Sequence, residues 1–497
     1  MSYVIGIDTS TTATKAILVD ESGRVVAIGV AEYDAQTPRP LWSEQDPGVW
    51  WSATIDAVHR AISDVDAAEV VAVGLTGQMH GLVMLDHNDD IVRPAILWND
   101  QRTAAECNEM RERVGRRRLI QITGNDALTG FTAPKLLWVR NNEPDAYRRA
   151  TSILLPKDYV RLKLTGVHAT DRAGGGGTQL FDLAARTWSE ELLADLDIDR
   201  QLLPPTFEGT SITGRVTDEA ADATGLAPGT PVVAGGGDQA ASAVGTGAIE
   251  PGIVTVSLGT SGVVFAATSE PSFEPEGRVH AFPHAIPERW HMMGVMLSAA
   301  GSYRWYRDAF ADGVDFGELD DEAATAPPGS NGLLFLPYLS GERSPHPDPN
   351  ARGAFVGLTV RHGRADLTRS VLEGVAFGLA DILDLMVEAG IDRPASVRIS
   401  GGGAKSELWR QIIADTLGAT VETVNTIEGA AYGAAILASI GGGWFDDARS
   451  AIGSWVSVND SVEPGAASAQ YSELHSLYSG LYEALKPTFS ALAPTAP

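Results

Sequence analysis

Two acidic residues, Asp8 and Asp238, stand where an apolar segment typical of a strand runs into a polar loop. Hydroxyl side chains follow the first acid, and three glycines precede the second. Such loops let backbone N–H groups and hydroxyls approach a phosphate closely, because no bulky side chain intervenes. The carboxylates could hold Mg²⁺ or act as a base, although a helix cap is the favoured interpretation of any single acid in a glycine loop. The hydroxyl residues of the first loop are Thr9, Ser10, Thr11 and Thr12.

Three further loops of similar composition follow apolar runs of the strand type. The first follows the run 70–75, the second lies between the runs 253–258 and 263–265, and the third follows the run 397–400. Each loop by itself could be an ordinary tight turn. In chain order the loops contain Gln78, Met79 and His80; then Gly259, Thr260 and Ser261; and finally Gly401, Gly402 and Gly403.

Several common catalytic motifs are absent from the sequence. There is no Gly-x-x-x-x-Gly-Lys-Ser/Thr loop and no complete Gly-x-Gly-x-x-Gly, which excludes a P-loop and the usual dinucleotide fingerprint. There is no His-Glu-x-x-His and no Gly-x-Ser-x-Gly, so zinc-protease and serine-hydrolase chemistry have no local support. The net charge of -27 and the pI of about 4.7 disfavour binding to nucleic acid and to anionic membrane surfaces.

The cysteine content and the N-terminus bear on the compartment. The single cysteine, Cys107, permits no internal disulfide and lies in a segment of helical character, so we expect it to be buried and inert. The N-terminus lacks the basic start and apolar core of a signal peptide. No apolar run approaches the ~20 residues that cross a bilayer. These features predict a cytoplasmic protein that does not bind membranes.

The elements that position these loops follow an α/β pattern. The chain opens with three strands separated by polar turns over residues 3–28, which predicts an antiparallel meander. A related pattern returns at 253–265, about half a chain later, and indicates an internal repeat. Because a chain of 497 residues exceeds the usual size of one core, about 250–300 residues, we expect two domains, 1–247 and 248–497. Helical patterns fill roughly 101–116 and 366–389.

Two long patterns resemble a known family. One runs from Gly130 to Asn142, and the other joins Gly353–Leu358 to Asp366–Glu373. On these patterns the chain resembles the FGGY carbohydrate kinases, within the actin-like ATPase superfamily, over nearly its whole length. The resemblance implies an α/β, two-domain, ribonuclease H-like sugar kinase fold with a central cleft. Within the family the chain is most similar to the xylulokinases, on the shorter stretches 41–47, 77–81, 95–100, 155–159 and 335–343.

The resemblance also implies a role for each loop. Asp238 matches the general base that accepts the proton of the attacking sugar hydroxyl, and Asp8 matches the acid that acts at the phosphates through Mg²⁺, with both carboxylates near the metal. Met79 and His80 match the pair that contacts the sugar. The loops Thr9–Thr12 and Gly259–Ser261 would hold the phosphates of ATP. The loop Gly401–Gly403 would lie at the adenosine. Further sugar contacts are expected from Gln78, Trp98, Asp100 and Gln239.

The expected reaction is transfer of a phosphoryl group from ATP to O5 of D-xylulose, which gives D-xylulose 5-phosphate. Phosphoryl transfer needs in-line positioning and charge neutralisation more than covalent help, and a base, a metal and a closing cleft supply these. The expected cofactors are ATP and Mg²⁺, and the expected partners are the sugar and ATP alone, without nucleic acid or membrane. A homodimer is expected by family analogy.

Other interpretations stay open on the residues. Gln239 stands where many family members have Asn, and the stretch 171–178 is unusually rich in glycine, so a kinase for another pentulose, a hexulose or a polyol is an alternative. A non-catalytic sugar sensor, an actin-like assembly protein or a chaperone-type ATPase would use the same fold, but a pure binder needs no base. Trp98 is equally a sugar platform or a core residue, and Asp100 is a sugar contact or a cap. Lys15 and Arg343 receive no catalytic role.

Overall fold

The computed structural model describes residues 1–425 and 428–492. The strands of the first half are β1 (Tyr3–Thr9), β2 (Ala13–Asp20), β3 (Val25–Glu32), β4 (Glu44–Gln45), β5 (Val70–Gly77), β6 (Val83–Leu85), β7 (Ala95–Ile96), β8 (Ser152–Leu154), β9 (Thr170–Asp171), β10 (Phe181–Asp182), β11 (Thr187–Trp188), β12 (Thr206–Phe207), β13 (Ile212–Arg215), β14 (Pro231–Val233) and β15 (Gly236–Gly237). The helices of this half are α1 (Pro47–Ala61), α2 (Ala104–Val114), α3 (Arg116–Thr123), α4 (Thr132–Asn142), α5 (Pro144–Arg149), α6 (Pro156–Thr165), α7 (Arg172–Gly176), α8 (Glu190–Leu196), α9 (Asp218–Thr224) and α10 (Asp238–Gly245).

The second half has the same mixture of elements. Its strands are β16 (Ile253–Leu258), β17 (Gly262–Thr268), β18 (His280–Pro283), β19 (Trp290–Met296), β20 (Leu334–Leu336), β21 (Ala354–Val356), β22 (Ser396–Ser400), β23 (Thr420–Val424) and β24 (Val458–Val462). Its helices are α11 (Ala300–Phe310), α12 (Phe316–Ala324), α13 (Arg364–Glu388), α14 (Glu407–Leu417), α15 (Gly429–Gly441), α16 (Ala448–Trp455), α17 (Ser468–Ser479) and α18 (Leu481–Leu492).

The first sheet is mixed and has the strand order β13-β14-β5-β1-β2-β3, with β15 pairing beside β5. Strands β1, β2 and β3 are antiparallel, which confirms the meander that the sequence predicts. Strands β1 and β5 are parallel. Their side chains are buried on both faces, because α1 and α6 pack on one side of the sheet and α15 packs on the other.

The second sheet has the order β18-β19-β17-β16-β22-β23-β24. Here β16 is parallel to β22 and antiparallel to β17, and β17 is antiparallel to β19. The set β22-β16-β17-β19 therefore repeats the pairing pattern of β5-β1-β2-β3, so the repeat indicated by the sequence is present in the sheets. The predicted helical regions correspond to α2 and α13. Cys107 is buried in α2, and burial raises the pKa of its thiol to about 11, in keeping with an inert residue.

Helix α15 belongs to the second half of the chain but packs directly on the first sheet and on α10. Glycines make this contact possible, because a Cβ on Gly433 would lie 1.7 Å from the carbonyl oxygen of Ala241 in α10. On the sheet side, a Cβ on Gly6 would lie 2.1 Å from the carbonyl oxygen of Ala431. The backbones of three elements thus touch where any side chain would keep them apart.

The glycine-rich stretch 171–178 contains the short helix α7. Glycine disfavours a helix interior, but Asp171 caps this helix by accepting a hydrogen bond from the Gly174 N–H at 2.8 Å. The same carboxylate lies 2.5 Å from the Lys157 ammonium, which holds the cap in place. Within the described residues, none of the helices combines the length and hydrophobicity that crossing a bilayer would need.

The contact between α10 and α15 leads to a stability prediction. Gly433→Ala places a methyl group against backbone atoms that cannot move independently, so we expect the free energy of unfolding to fall by about 1–3 kcal/mol or more. Gly453→Ala in α16 is the matched control, because a Cβ there meets nothing within 4 Å and alanine is the better helix former. Guanidinium-induced unfolding of the two variants checks this. Equal midpoints for Gly433→Ala and the wild type would contradict the tight contact.

Candidate active site

The strand register brings Asp8 and Asp238 to the same edge of the first sheet. Asp8 lies opposite Thr76 across the parallel pair β1 and β5, and Thr76 lies opposite Gly236 across the pair β5 and β15. Asp238 follows β15 directly and is the first residue of α10. Both acids therefore stand at the carboxyl ends of parallel strands, where sheets of this kind bind ligands.

The two carboxylates influence one another electrostatically. Burial raises the pKa of Asp8 to about 6, against the opposing charge of Lys15. Burial and the charge of Asp8 together raise the pKa of Asp238 to about 7. Asp8 Oδ1 is buried without a hydrogen-bond partner, whereas Asp238 Oδ1 accepts from the Gln239 N–H at 2.8 Å. A bound cation would relieve this repulsion, so the pair fits a divalent metal.

The protein can supply only part of a metal's coordination shell here. No cluster of three or more His, Cys, Asp and Glu side chains suited to a metal occurs in residues 1–425 and 428–492. A metal at Asp8 and Asp238 would therefore take its remaining ligands from water or from phosphate oxygens. That division is typical of Mg²⁺, which is usually held by one or two carboxylates together with substrate phosphates.

The first loop, Thr9–Thr12, is braced by surrounding side chains. The Gln78 amide donates to the Ser10 carbonyl at 3.2 Å, and the Gln45 amide donates to the Thr11 carbonyl at 2.8 Å. The Trp98 indole donates to Thr11 Oγ1 at 2.9 Å. Gln78 is buried and supports this loop, and it does not line the neighbouring cavity. Thr12 is exposed, so its hydroxyl is open to a ligand.

A cavity of about 130 Å³ adjoins Asp238 and brings most of the predicted sugar-side residues together. Met79, His80, Trp98 and Gln239 line it, and Ser261 of the second loop reaches the same space. Trp98 is 41% exposed, which supports its interpretation as a platform rather than a core residue. Sequence reasoning missed four lining residues, and among these only Arg343 lay in a stretch that the resemblance had marked. The four are Val263, Met293, Val295 and Arg343.

His80 is held in one orientation and in its neutral form. Its Nδ1 lies 2.6 Å from the Gly177 carbonyl, so this nitrogen carries the proton and donates, which leaves Nε2 as an acceptor. Burial of the ring lowers the pKa of His80 to about 3. A Cβ on Gly177 would lie 2.8 Å from both His80 Nδ1 and Met79 Cε, so a larger residue there would displace this pair. The stretch 171–178 thus shapes the sugar-side pair directly.

The backbone of His80 is fixed by a buried lysine. The Lys135 ammonium donates to the carbonyls of His80 and Gly130 at 2.8 and 2.6 Å, and burial lowers the pKa of Lys135 well below its usual value. The φ angle of His80 is 67°, in the left-handed region that a residue with a side chain adopts only under such constraint. Lys135 belongs to the family pattern Gly130–Asn142, so one role of this pattern is to hold the backbone of His80.

Asp100 is a cap in this structure. Its carboxylate is fully buried and accepts from the backbone N–H groups of Ser43 and Arg102 at 2.6 and 2.9 Å. It also pairs with the Arg102 guanidinium at 2.6 Å. These contacts occupy both carboxylate oxygens, and Asp100 does not line the cavity.

A buried ionic network lies behind the site and explains the stretch 155–159. The Lys157 ammonium lies 2.5 Å from carboxylate oxygens of both Asp158 and Asp171. Arg161 pairs with Asp158 and donates to the Val233 carbonyl at 2.9 Å, at the end of β14. Because Asp171 caps α7 and β14 leads to Asp238, this network supports both the sugar-side helix and the segment that carries the acid.

The two loops of the second half meet at the carboxyl ends of β16 and β22. The Thr260 carbonyl accepts from the N–H groups of Ala299 and Gly301, which fixes the Gly259–Ser261 loop to the start of α11. Gly401 has a φ of 90°, and with Gly402 and Gly403 it forms the turn after β22. Gly402 and Gly403 line a second cavity of about 430 Å³. Its other main walls are Tyr303, Phe316, Lys405 and Trp409.

A larger cavity lies elsewhere and contains no predicted site residue. It measures about 670 Å³ and lies between the turn from β2 to β3 and the helices α15 and α16. None of the buried carboxylate pair, the glycine loops or the sugar-side residues faces it. The smaller cavity at Asp238 therefore remains the candidate active site on the chemistry of its walls.

The chain matches known proteins along most of its length. Residues 3–245 match the N-terminal domain of the FGGY family of carbohydrate kinases, and residues 254–442 match its C-terminal domain. A xylulose kinase of Escherichia coli (strain K12) is 47% identical over 439 residues, 88% of this chain and 89% of the relative. A xylulose kinase of Bacillus subtilis (strain 168) is 38% identical over 495 residues, 99% of each chain.

Solved structures share the fold. A ligand-bound xylulose kinase from Lactobacillus acidophilus superimposes with a TM-score of 0.95 at 28% identity, covering 99% of this chain and all of that one. The two-domain kinase fold that the resemblance implied is therefore confirmed. Taken with the two domain matches and the identity to curated relatives, the fold and the site show that the chain belongs to the FGGY family of carbohydrate kinases.

Proposed function

We propose that this protein transfers a phosphoryl group from ATP to O5 of D-xylulose, giving D-xylulose 5-phosphate. The observation that carries the proposal is the position of Asp238 in one small cavity with a sugar-side wall of Met79 and His80 and with Ser261 of the second glycine loop. The identity to relatives named xylulose kinases supports the choice of sugar. Membership of a kinase family implies ATP and a divalent metal, and we take the metal to be Mg²⁺.

Asp238 is the general base of the proposed reaction. Its carboxylate accepts the proton of the attacking hydroxyl as the new O–P bond forms and the bond between the γ-phosphorus and the bridging oxygen of ATP breaks. A pKa near 7 suits this task, because about half of the group is then ionised at neutral pH and the ionised form is a useful proton acceptor. Mg²⁺, held by Asp8 and Asp238, would neutralise charge on the phosphates.

The two loops of the phosphate side come from different halves of the chain. Thr9–Thr12 and Gly259–Ser261 would bind the phosphates from opposite sides, through backbone N–H groups and hydroxyls. The second cavity, next to Gly401–Gly403, would hold the adenosine, and its aromatic walls suit a purine ring. We infer that the sugar binds mainly to a domain of residues 1–247 and the nucleotide mainly to a domain of residues 248–497.

The sugar side is built to accept and position hydroxyl groups. The neutral His80 offers Nε2 as a hydrogen-bond acceptor, and the Gln239 amide offers both a donor and an acceptor. The second candidate function, a sugar sensor without catalysis, would have no use for a base, and the buried, like-charged pair Asp8 and Asp238 would only destabilise it. We therefore favour the kinase.

Release of ADP across a sugar panel tests the function. The panel contains D-xylulose, D-ribulose, L-ribulose, L-xylulose, D-fructose, gluconate and glycerol, each with Mg²⁺-ATP. We expect selective turnover of D-xylulose, because the small cavity favours a short ketose. Preference for another sugar would change the assigned substrate but leave the kinase activity in place. If no sugar causes release of ADP, the proposal is overturned and the sugar sensor becomes the favoured function.

Asp238→Asn tests the base. Asparagine has the same shape but accepts no proton, so we expect kcat to fall by about 10²–10⁴-fold while D-xylulose still binds. Single-turnover phosphoryl transfer and calorimetric titration with the sugar separate the two effects. Asp182→Asn is the control, because that carboxylate caps a surface turn, where it accepts from the Ala185 N–H. Wild-type activity in Asp238→Asn would refute the assigned role.

The pH profile tests the coupling between the two acids. The base works only when it is ionised, and its pKa in the metal-free protein is about 7. The value of kcat/KM for Mg²⁺-ATP, measured at saturating sugar, should therefore rise with pH through about 7. Asp8→Asn removes the like charge that raises the pKa of Asp238, so the remaining activity should have its acid limb at lower pH. It should also have a higher KM for Mg²⁺-ATP. An acid limb that stays in place, or moves upward, would contradict the coupling.

A further inference from the structure

Arg343 is partly buried and differs from the buried arginines of this protein. Arg161, Arg186, Arg369 and Arg410 each form an ion pair with a carboxylate. In the part of the chain that the structure describes, no carboxylate lies within 4.0 Å of the Arg343 guanidinium, and that guanidinium makes no hydrogen bond. It faces the cavity at Asp238 instead. A partly buried cation without a counter-charge is costly, so its position requires a ligand that supplies acceptors.

The neighbouring Glu342 is not the missing partner. Its Oε1 accepts from the backbone N–H groups of Leu297 and Arg343 at 2.9 and 2.7 Å, so it caps the backbone of this turn. The Ser344 N–H donates to the Val295 carbonyl at 3.0 Å, which ties the turn to the end of β19. Met293 and Val295 of β19 line the same cavity. Arg343 is therefore presented to the cavity on a fixed segment of backbone.

Arg343 lies on the sugar side of the cavity. Its charge contributes to lowering the pKa of His80 and of His280, in both cases after the larger effect of burial, so the guanidinium lies near these rings. Burial lowers the pKa of Arg343 to about 10. The cavity wall thus carries a carboxylate, where the reacting hydroxyl would lie, and a cation.

We propose that Arg343 binds the carbonyl end of the ketose, and that the same guanidinium lets the cavity take a second class of ligand, five-carbon sugar acids. This inference rests on the proposed function for the orientation of the ketose. A guanidinium only donates, so it matches a carbonyl oxygen and its neighbouring hydroxyl oxygen better than the alternating groups of a polyol. A carboxylate at C1 would place two acceptors before the planar fork and add a charge–charge attraction.

Competition experiments test the sugar-acid class with the wild-type protein. D-xylonate and xylitol have the same length and the same terminal hydroxyl, but only the first carries a carboxylate. We expect D-xylonate to compete with D-xylulose and to bind about tenfold or more tightly than xylitol, as a charge-assisted contact implies. Calorimetric titration of both compounds measures this without turnover. Equal or weaker binding of D-xylonate would overturn the assignment of sugar acids.

Variants test the residue itself. Arg343→Met keeps an unbranched aliphatic stem and removes the charge, so D-xylonate binding should fall about tenfold or more, KM for D-xylulose should rise, and xylitol binding should change least. Arg343→Lys restores charge without the fork and should recover D-xylonate binding only in part. Arg393→Met, which removes an exposed arginine paired with Asp384, is the matched control. If Arg343→Met folds poorly, Arg343→Lys and the competition experiment with the wild-type protein test the role of Arg343 instead.

The outcomes separate this inference from the proposed function. Turnover of D-xylulose with no D-xylonate binding, and with an unchanged KM in Arg343→Met, would overturn the role of Arg343 and leave the kinase intact. Loss of D-xylonate binding in Arg343→Met, in a protein that turns over no ketose, would support the anion site and remove the kinase.

Discussion

Helix α15 touches the first sheet and helix α10 at the level of the backbone, and the geometry of the site follows from this contact. Gly6 and Gly433 leave no side chain between these elements, so α10 cannot shift against β1. Since Asp8 ends β1 and Asp238 begins α10, their separation is set by backbone packing and does not depend on flexible side chains. The pair Lys15 and Glu428, at 2.5 Å, adds a second link between β2 and the residue before α15. Preorganisation of this kind costs no rearrangement during the reaction.

The cavity is lined by acidic, neutral and basic groups. Asp8 and Asp238 repel one another when both are ionised. Their raised pKa values favour a protonated form that relieves this repulsion, and a cation bound between ligand and protein would relieve it as well. His80 is neutral, so it adds no charge beside the sugar. Arg343 carries the one positive charge on the cavity wall among the described residues. A neutral sugar, an anionic nucleotide and a metal therefore each meet a region of different potential.

Much of the fold and part of the site could be predicted from the sequence. The meander, the repeat and both acids could be predicted because strand alternation and glycine loops are local sequence signals. Gln78 and Asp100 lie beside predicted site residues in the chain, but their side chains turn toward the first loop and toward Arg102. Sequence adjacency does not give side-chain direction. Glu342 directly precedes Arg343 in the chain, but its carboxylate binds backbone N–H groups, which only the fold shows. Helix α7 could not be expected from a glycine run, because its stability comes from Asp171 and Lys157.

The placement of α15 also determines whether the two halves of the chain can be separated. By sequence the helix lies in the second half, but its apolar side covers the first sheet, where Ala431 and Ala435 join the cluster around Val4 and Ala72. A chain cut between residues 247 and 248 would leave that sheet face bare in one fragment and a helix without its support in the other. The two halves share a strand-pairing pattern, but each completes the core of the other. We therefore expect neither half to fold as a self-sufficient unit when it is expressed alone.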